Sequence, residues 1–450
     1  MRCAVAGLVL AATAGLAAAE PIKSIVVEDN EKTTAETVEL IAKISVGDEW
    51  TPDMTERVKA DLVSSGLFKD VEVFWSKVDG GVRVHILVKD KHSWVIAPAF
   101  YNQPTNVGGG IGFGENNLFG LNQKLLLYGQ IATGDSFFIG AWVIPAIAGS
   151  RFYAQFDTYL KSSRNIEYAA PTKYLDNPVP IRESRIIYLN GGFKLGVELF
   201  RGIRIDTRLR GAKVSYPEED LKYLGADPAM QARDLGTLEG APILKPGAEG
   251  WDISNEVSFT IDRRANWYGI STGYKLQFAY EQALPSLGSD FHYKMFGVWF
   301  YKAWKILDQH NLVLRANGNY GKRLPFQQEF AVGGTAMRGW LNYQFRGDIR
   351  ALTNLEYSVP IFTIKGFSVR GLGFFDSGYA SFLTTSNPER NYLPGSRRDQ
   401  QDAFAPFKNS VGVGTRLYLR QVVLPLLGLD IGYGLESRDV QVYLAIGLTD

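Results

Sequence analysis

The feature that most constrains the fold of this 450-residue chain is an alternation of apolar and polar side chains with a period of two, which recurs after residue 92. One face of each segment carries Leu, Ile, Val and Tyr, and the other carries mostly Arg, Asn, Gln, Asp and Glu. No stretch of this region approaches the ~18 consecutive apolar residues of a transmembrane helix. The pattern is typical of a transmembrane β-barrel, which pairs every backbone group within lipid. The clearest segments are residues 274–281, 311–320, 349–360, 427–436 and 440–448.

The length of this region sets the size of the predicted barrel. Because a membrane strand with its turn takes about 20 residues, residues 92–450 accommodate about sixteen antiparallel strands. A soluble all-β protein is the alternative, although a sandwich would not present apolar residues to one side in so many successive strands. We expect short turns at the periplasmic end and long loops at the other. The tight turns are at Phe119 and Gly120 and at residues 364–366, and the long connections are at residues 162–182, 216–250, 320–345 and 383–408.

Residues 1–19 have the three parts of a secretory signal peptide. A cation at Arg2 precedes an apolar run, and small residues end at Ala19, after which we expect cleavage. An N-terminal membrane anchor is the alternative. The sole cysteine, Cys3, leaves with the peptide, so neither a disulfide nor a Cys-ligated metal is expected. The balance of 48 Lys and Arg against 47 Asp and Glu leaves no positive excess to bind nucleic acid.

Residues 20–91 combine helical and strand patterns and predict a small α+β domain. A strand at residues 22–27 precedes a first helix that opens with a capping-box-like Thr33, Thr34 and Glu36. A second helix opens at residues 51–53 and ends at Gly66. We expect inward faces made of Val38, Ile41 and Ala42 in the first helix and of Val58, Leu62 and Val63 in the second. A hairpin of residues 71–74 and 82–88 then turns at Asp79, Gly80 and Gly81.

The sequence offers no convincing catalytic, metal or nucleotide motif. The glycine run at residues 108–114 is out of register with the dinucleotide fingerprint and predicts a strand with a close neighbour. Ser271 lies in a G-x-S-x-G pattern, but the following residues alternate as a strand, so we interpret the segment as a periplasmic turn. We therefore predict no enzyme, no metal and no cofactor. The four histidines, which lack metal-ligand spacing, are His85, His92, His292 and His310.

The most informative segment is FAVGGTAMRGW at residues 330–340, which lies inside a long loop. Its composition is unusual for a solvated loop tip, because one arginine, Arg338, stands among glycines and large apolar side chains. We predict that the loop folds into the barrel and that Arg338 docks on Glu356 and Asp376, which the strand alternation places on the inner face. A solvated arginine in a mobile loop is the alternative. The residues of this motif are Gly333, Gly334, Arg338, Gly339 and Trp340.

Several motifs in order resemble one known family. They are SSGLFKDVEV (residues 64–73), GENNLFG (114–120), IDRRANWYGISTG (261–273), GGTAMRGW (333–340), LEYSVP (355–360) and GFFDSG (373–378). Together they resemble the outer-membrane assembly-factor superfamily typified by BamA and TamA, the bacterial surface antigen barrels, to which two-partner secretion transporters are related. Met337 and Trp340 stand where the family usually has Val or Ile and Phe or Tyr.

The resemblance implies one periplasmic POTRA domain at residues 20–91 and an outer-membrane barrel at residues 92–450. It also implies that the first and last strands, residues 92–101 and 440–448, pair weakly, so that a client strand could add there by β-augmentation. The POTRA edge for clients is expected at Leu67, Phe68 and Val71. The implied partners are outer-membrane lipids, unfolded outer-membrane or secreted polypeptides, and periplasmic accessory proteins or chaperones. The alternatives are a two-partner-type secretion transporter, a passive pore and a lipid-organising barrel.

Overall fold

The computed structural model describes residues 19–168, 179–224, 245–267, 270–364, 367–383, 387–391, 407–419 and 425–446. The predicted signal peptide therefore lies outside the described residues, apart from Ala19. The chain forms two compact units. The first comprises the residues up to Trp94 together with residues 116–123, and the second comprises residues 95–115 and the chain from Lys124 onward. None of the helices in the described ranges is long and apolar enough to cross a membrane.

The N-terminal unit is a four-stranded sheet covered on one face by two helices. Its elements are β1 (Glu20–Glu28), α1 (Ala35–Ala42), β2 (Glu49–Trp50), α2 (Met54–Ser64), β3 (Phe68–Val78) and β4 (Gly81–Asp90). The sheet order is β2-β1-β4-β3, with β1 parallel to β4 and antiparallel to β2. β3 and β4 form the predicted hairpin around Asp79 and Gly80. β3 is therefore an edge strand of this sheet.

The helices form where the sequence predicts them, with two local differences. The Thr34 hydroxyl accepts a hydrogen bond from the Thr37 backbone N–H at 3.2 Å, so Thr34 is the N-cap. The third helical position is Thr37, so Glu36 does not complete a capping box. In α2, Val58 and Leu62 are fully buried. The prediction for Val63 was wrong, because it is 54% exposed: a step of ~100° from Leu62 turns its side chain off the buried face.

The second unit is a closed antiparallel β-barrel of sixteen long strands, as predicted. In chain order the strands are β5 (Trp94–Gln103), β6 (Asn106–Leu118), β7 (Gln123–Ala132), β8 (Asp135–Ile144), β9 (Phe152–Tyr168), β10 (Pro180–Phe200), β11 (Ile203–Ser215), the short β12 (Lys222–Tyr223), β13 (Gly250–Asp262), the short β14 (Ala265–Trp267), β15 (Ile270–Ala283), β16 (Lys294–Lys305), β17 (Asn311–Lys322), the short β18 (Phe330–Val332) and β19 (Phe345–Gly347), β20 (Ile349–Ile364), β21 (Phe367–Ser381), β22 (Lys408–Leu419), β23 (Pro425–Gly434) and β24 (Val440–Ile446). β18 and β19 pair only with each other and are not strands of the barrel wall.

The alternation of side chains along the strands separates the two faces of the wall. On β23, Ile431 and Tyr433 are exposed on the outer face, whereas Asp430, which precedes Ile431, is buried in the lumen. On β21, Phe375 is exposed outward and Asp376 is fully buried. The outer face is therefore apolar and the inner face polar, which is the arrangement that a surrounding bilayer requires.

Several strand boundaries differ from those predicted. The first barrel strand begins at Trp94, not at residue 92, and the predicted loop at residues 162–182 is shorter, because β9 runs to Tyr168 and β10 begins at Pro180. Ser271 lies in strand β15 and not in a turn. Phe119 and Gly120 form the tight turn that was predicted, and both have a positive φ. Residues 365–366 and 447–450, on which other predicted boundaries depend, lie outside the described residues.

Candidate functional site

The connection between β17 and β20, residues 323–348, folds into the barrel as a lumen loop. It carries short 3-10 turns at Phe326–Gln328 and Gly334–Ala336, and it is held together by the β18–β19 pair. Met337 and Trp340 are almost fully buried. They pack in an apolar cluster with Val332, Phe345, Leu352 and Ala380. The loop therefore has its own core, and part of that core comes from the barrel wall.

Arg338 lies at the tip of the lumen loop and contacts three carboxylates. Its Nε and Nη2 donate to the two oxygens of Asp376, each at 2.9 Å, in a bidentate pair. Its Nη1 donates to Glu356 at 2.7 Å and to Asp430 at 3.2 Å. The guanidinium also lies 3.5 Å from the ring centroid of Phe374. The structure thus brings together the three residues predicted from the sequence and adds Asp430.

Two further arginines balance the charge of this cluster. Arg416 donates to both oxygens of Asp430, at 2.6 and 2.7 Å, and Arg315 donates to Glu356 at 2.7 Å. Three arginines therefore face three carboxylates across β17, β20, β21, β22 and β23. Asp376 differs from the other two carboxylates, because its ion pair is with Arg338 alone among the described residues. The strand alternation places Asp430 and Arg416 in the lumen, but it does not show which loop reaches them.

The backbone of the lumen loop binds the last strand of the barrel. The Gly339 N–H donates to the Tyr443 hydroxyl at 3.0 Å, and that hydroxyl donates to the Trp340 carbonyl at 2.9 Å. Gly339 has a φ of +92°, and a Cβ there would lie 2.8 Å from the backbone nitrogen of Gly434. Only glycine permits both this conformation and this close approach. Tyr443 was missed from the sequence because it is a single aromatic residue among the inward positions of its strand.

The lumen loop also reaches the first strand. The Asn342 amide donates to the side-chain oxygen of Gln103 in β5 at 3.2 Å. The Tyr343 hydroxyl donates to Asp135 in β8, also at 3.2 Å. Because Tyr443 belongs to β24, the loop contacts both of the strands that close the barrel.

The strands that close the barrel meet over a short described length. β24 pairs with β5 at three register positions, with Leu444 opposite Asn102 and Ile446 opposite Phe100. In this register, Val440 to Val442 run past Gln103, where β5 ends. By contrast, β9 and β10 pair along nearly their whole length. Within the described part of the chain, the N-terminal end of β24 is therefore an edge without a β5 partner.

A second buried ion-pair cluster lies at the end of the barrel that carries the long connections. Arg390 donates to Glu329 at 2.7 Å, and Arg346 donates to the other oxygen of Glu329 at 2.9 Å. Glu167 in β9 pairs with both Arg182 and Arg390. The Arg390 guanidinium also donates to the carbonyl of Pro246 at 2.8 Å. Connections that leave different parts of the wall therefore converge over the mouth of the lumen.

The residues predicted for the client edge of the N-terminal unit are buried. Leu67, Phe68 and Val71 are at most 7% exposed and belong to the core beneath the helices. Their side chains are therefore not available to a client in this structure, but Phe68 and Val71 belong to the edge strand β3, so the expected client edge stays a prediction about the backbone. What remains at this edge is the backbone of β3 and the half-exposed ring of Phe74, which stacks on His85 at 4.8 Å.

The residues considered for other chemistry have structural contacts. The backbone of Ser271 exchanges hydrogen bonds with the Asn311 side chain, at 3.0 and 2.7 Å. His310 is hydrogen-bonded to Tyr357 at 2.6 Å. Within the described ranges there is no group of three or more His, Cys, Asp or Glu that could bind a metal ion.

The fold and the lumen cluster define a class: a transmembrane β-barrel whose lumen holds an arginine-bearing loop, preceded by a small α+β unit. The sequence profile of the Omp85 superfamily domain matches residues 117–441. The chain belongs to the Omp85 superfamily, which confirms the superfamily predicted from the sequence motifs.

Comparison with solved structures gives the same fold. The chain is similar to BamA from Haemophilus ducreyi lacking POTRA domains 1–3, with a TM-score of 0.65 and 13% identity over 95% of this chain and 84% of that chain. It is also similar to CdiB from Acinetobacter baumannii, with a TM-score of 0.64 and 14% identity over 96% of this chain and 74% of that chain. CdiB from Escherichia coli gives a TM-score of 0.57 and 13% identity over 98% of this chain and 93% of that chain. A comparison with curated proteins gave no match.

Proposed function

We propose that the protein acts in the outer membrane in the insertion of outer-membrane proteins or the translocation of polypeptides, without enzymatic chemistry. The observation that carries this proposal is the edge at the closing strands. An unpaired row of backbone groups within lipid is costly, so an incoming strand that completes the row is favoured. The free end of β24, from Val440 to Val442, is such a row.

The lumen loop supports this proposal because it is bonded to the strands on both sides of the closure. Tyr443 holds Gly339 and Trp340 on one side, and Gln103 holds Asn342 on the other. The arginine cluster fixes the loop to the neighbouring wall, and the loop in turn keeps β5 and β24 near each other. A client strand that enters there would therefore have to displace side-chain contacts and a short ladder of backbone hydrogen bonds. It would not have to separate two strands that are paired along their whole length.

The N-terminal unit is proposed to be a single periplasmic POTRA domain that captures clients. Its sheet has β3 as an edge strand, and an extended polypeptide can pair with such an edge through backbone hydrogen bonds. The proposed partners are unfolded outer-membrane or secreted polypeptides, periplasmic accessory proteins or chaperones, and outer-membrane lipids.

The convergence of loops over the long-loop end of the lumen argues against a passive pore. Arg390, Glu329 and Glu167 draw separate connections together there, so an open aqueous path would have to avoid a buried charged cluster. We expect small conductance from the reconstituted protein and larger conductance from an Arg390→Ala variant. A large conductance that is the same in both proteins would support a pore instead.

The direct test of the proposed function is crosslinking from the free edge. A photoreactive amino acid at Val442, beside the seam, should capture polypeptide clients in growing cells. The same group at Leu314, in the closed wall on β17, is the matched control. Capture of several outer-membrane barrels supports an insertase, and capture of one soluble exported partner supports a secretion transporter. Equal yields at the two positions, together with normal levels of outer-membrane and exported proteins after depletion, would refute the proposal.

A further inference from the structure

The outer wall of the barrel contains a hollow that the function above does not use. It has a volume of about 450 Å³ and crosses β20, β21, β22 and β23. Two rows of residues that lie directly opposite one another on successive strands form the hollow. One row is Tyr357, Gly373, Val413 and Ile431, and the other is Val359, Gly371, Thr415 and Leu429. In both rows a glycine stands where the neighbouring strands present side chains, so β21 forms the floor of the hollow.

The lining of the hollow is suited to hydrocarbon and not to a polypeptide strand. No charged side chain is among its lining residues, all of which belong to the described part of the chain. The floor glycines are already paired with β20 and β22, so no backbone edge is available to an added strand. The hollow is continuous with the lipid-facing surface of the wall. An empty groove there would forfeit dispersion contacts, whereas an acyl chain lying in it would restore them.

A second hollow adjoins the apolar one at the turn between β16 and β17, where charged and polar side chains lie beside Ile306 and Leu307. Lys305, Asp308 and His310 line it together with Pro360, whose chain neighbours Val359 and Ile361 line the groove. The two hollows are also joined by the hydrogen bond between His310 and Tyr357. A cation, an imidazole and a carboxylate in one place match the phosphate and ammonium groups of a zwitterionic phospholipid.

We propose that this part of the wall binds one zwitterionic phospholipid of the periplasmic leaflet. One acyl chain lies over Gly371 and Gly373, and the headgroup phosphate lies at Lys305 and His310. Adjacent strands are ~4.8 Å apart, so the three steps from β20 to β23 make the groove about 14 Å long. The site depends on the barrel lying in a membrane and is independent of whether the protein handles clients.

The test uses the full protein in vesicles of phosphatidylethanolamine and phosphatidylglycerol, with a trace of phosphatidylethanolamine that carries a photoreactive group in its acyl chain. We expect the label on the groove residues of β20, β21, β22 and β23. Gly373→Leu fills the groove, and a Cβ at this position meets nothing closer than 4.0 Å, so the barrel should tolerate it. Labelling of the groove should be lost in this variant. Gly318→Leu, where a Cβ meets nothing within 4 Å, is the control and should label as the parent does.

The headgroup contacts are tested separately by Lys305→Ala and His310→Ala. Each should reduce groove labelling about fivefold, which is the contribution of one hydrogen bond of average strength. The folded state of every variant is checked by its electrophoretic shift before and after boiling. If Gly373→Leu does not fold, the two headgroup variants still decide the question. Label spread evenly around the outer wall, or unchanged labelling in the folded variants, would overturn the proposal.

Discussion

At the scale of single residues, Arg338 is the residue on which the lumen loop most depends. It is 5% exposed and supplies hydrogen bonds to carboxylates on three strands. A buried charge is tolerated only when it is paired, and removing one partner leaves the other uncompensated. Removal of Arg338 would therefore affect the three carboxylates unequally. Glu356 keeps Arg315 and Asp430 keeps Arg416, whereas Asp376 loses its ion pair.

The first prediction concerns this inequality. Arg338→Ala should leave the barrel folded but release the lumen loop. The free energy that docks the loop should fall by about 3 kcal/mol, because Asp376 becomes a buried unpaired charge. Limited proteolysis should cut residues 333–344 in the variant and not in the parent. Adding Asp376→Asn should restore part of the resistance, whereas adding Glu356→Gln should not. Equal protease resistance of Arg338→Ala and the parent would show that the arginine does not hold the loop.

At the scale of elements, α2 illustrates how one helix divides buried from exposed positions. Leu62 is fully buried in the core of the N-terminal unit, and its neighbour Val63 is exposed. The helical step of ~100° per residue places Leu62 on the same face as Val58 and turns Val63 away from that face.

The second prediction follows from this pair. Leu62→Ala should destabilise the N-terminal unit by about 3 kcal/mol through lost burial and a cavity, whereas Val63→Ala should change stability by less than ~0.5 kcal/mol. Hydrogen exchange of the α1 and β4 amides in the full protein measures both effects. Similar losses in the two variants would contradict the burial of α2 described here.

The third prediction concerns Asp90 at the end of β4. Its side chain accepts hydrogen bonds from the Thr33 hydroxyl and from the N–H groups of Glu31 and Lys32, at 2.9 and 2.8 Å. Partial burial raises the pKa of Asp90, but these hydrogen bonds outweigh it and hold the pKa below its usual value. The stabilisation is therefore present above pH ~4 and is lost as the pH falls through the lowered pKa.

Asp90→Asn should remove this pH dependence and cost about 1 kcal/mol at neutral pH, because a neutral amide is a weaker acceptor. Hydrogen exchange at residues 31–34, followed from pH 7 to pH 3, measures the effect. Glu28→Gln, on an exposed side chain of β1, is the control and should retain the parent's profile. A parent protein whose exchange at these residues shows no acid-dependent opening would contradict the role of Asp90.

At the scale of the whole molecule, most neighbouring strands of the barrel pair over a long stretch, whereas the closing strands β24 and β5 pair over a short described stretch. The lumen loop compensates for that closure by bonding to both β5 and β24. Under the proposed function, the same few contacts would stabilise the closed state and would have to break for a client strand to enter.

The fourth prediction tests this property. Cysteines at Asn102 and Leu444, which face each other across the seam, should form a disulfide that prevents client insertion, with recovery on reduction. Cysteines at Leu314 and Leu355, which face each other between β17 and β20, are the matched control and should leave activity unchanged. The measurement is the rate of assembly of a client barrel with and without reductant. Full activity of the oxidised seam variant would show that the seam need not open.

The sequence by itself determined the class of fold, the approximate number of strands and the face on which the residues of the clearest alternating strands lie. It could do so because strand alternation is a local property with a period of two. It also indicated that Arg338 meets Glu356 and Asp376, since the loop motif and both acidic strands are close in the chain.

Only the tertiary structure decided which distant groups complete the cluster. Asp430 is 92 residues from Arg338, and their contact depends on the closure of the barrel and on the path of the lumen loop. The same reason applies to Tyr443 across the seam, to the buried Leu67, Phe68 and Val71, and to the glycine-floored groove. Alternation fixes the face of each residue, but the register between strands and the route of the loops fix its neighbours.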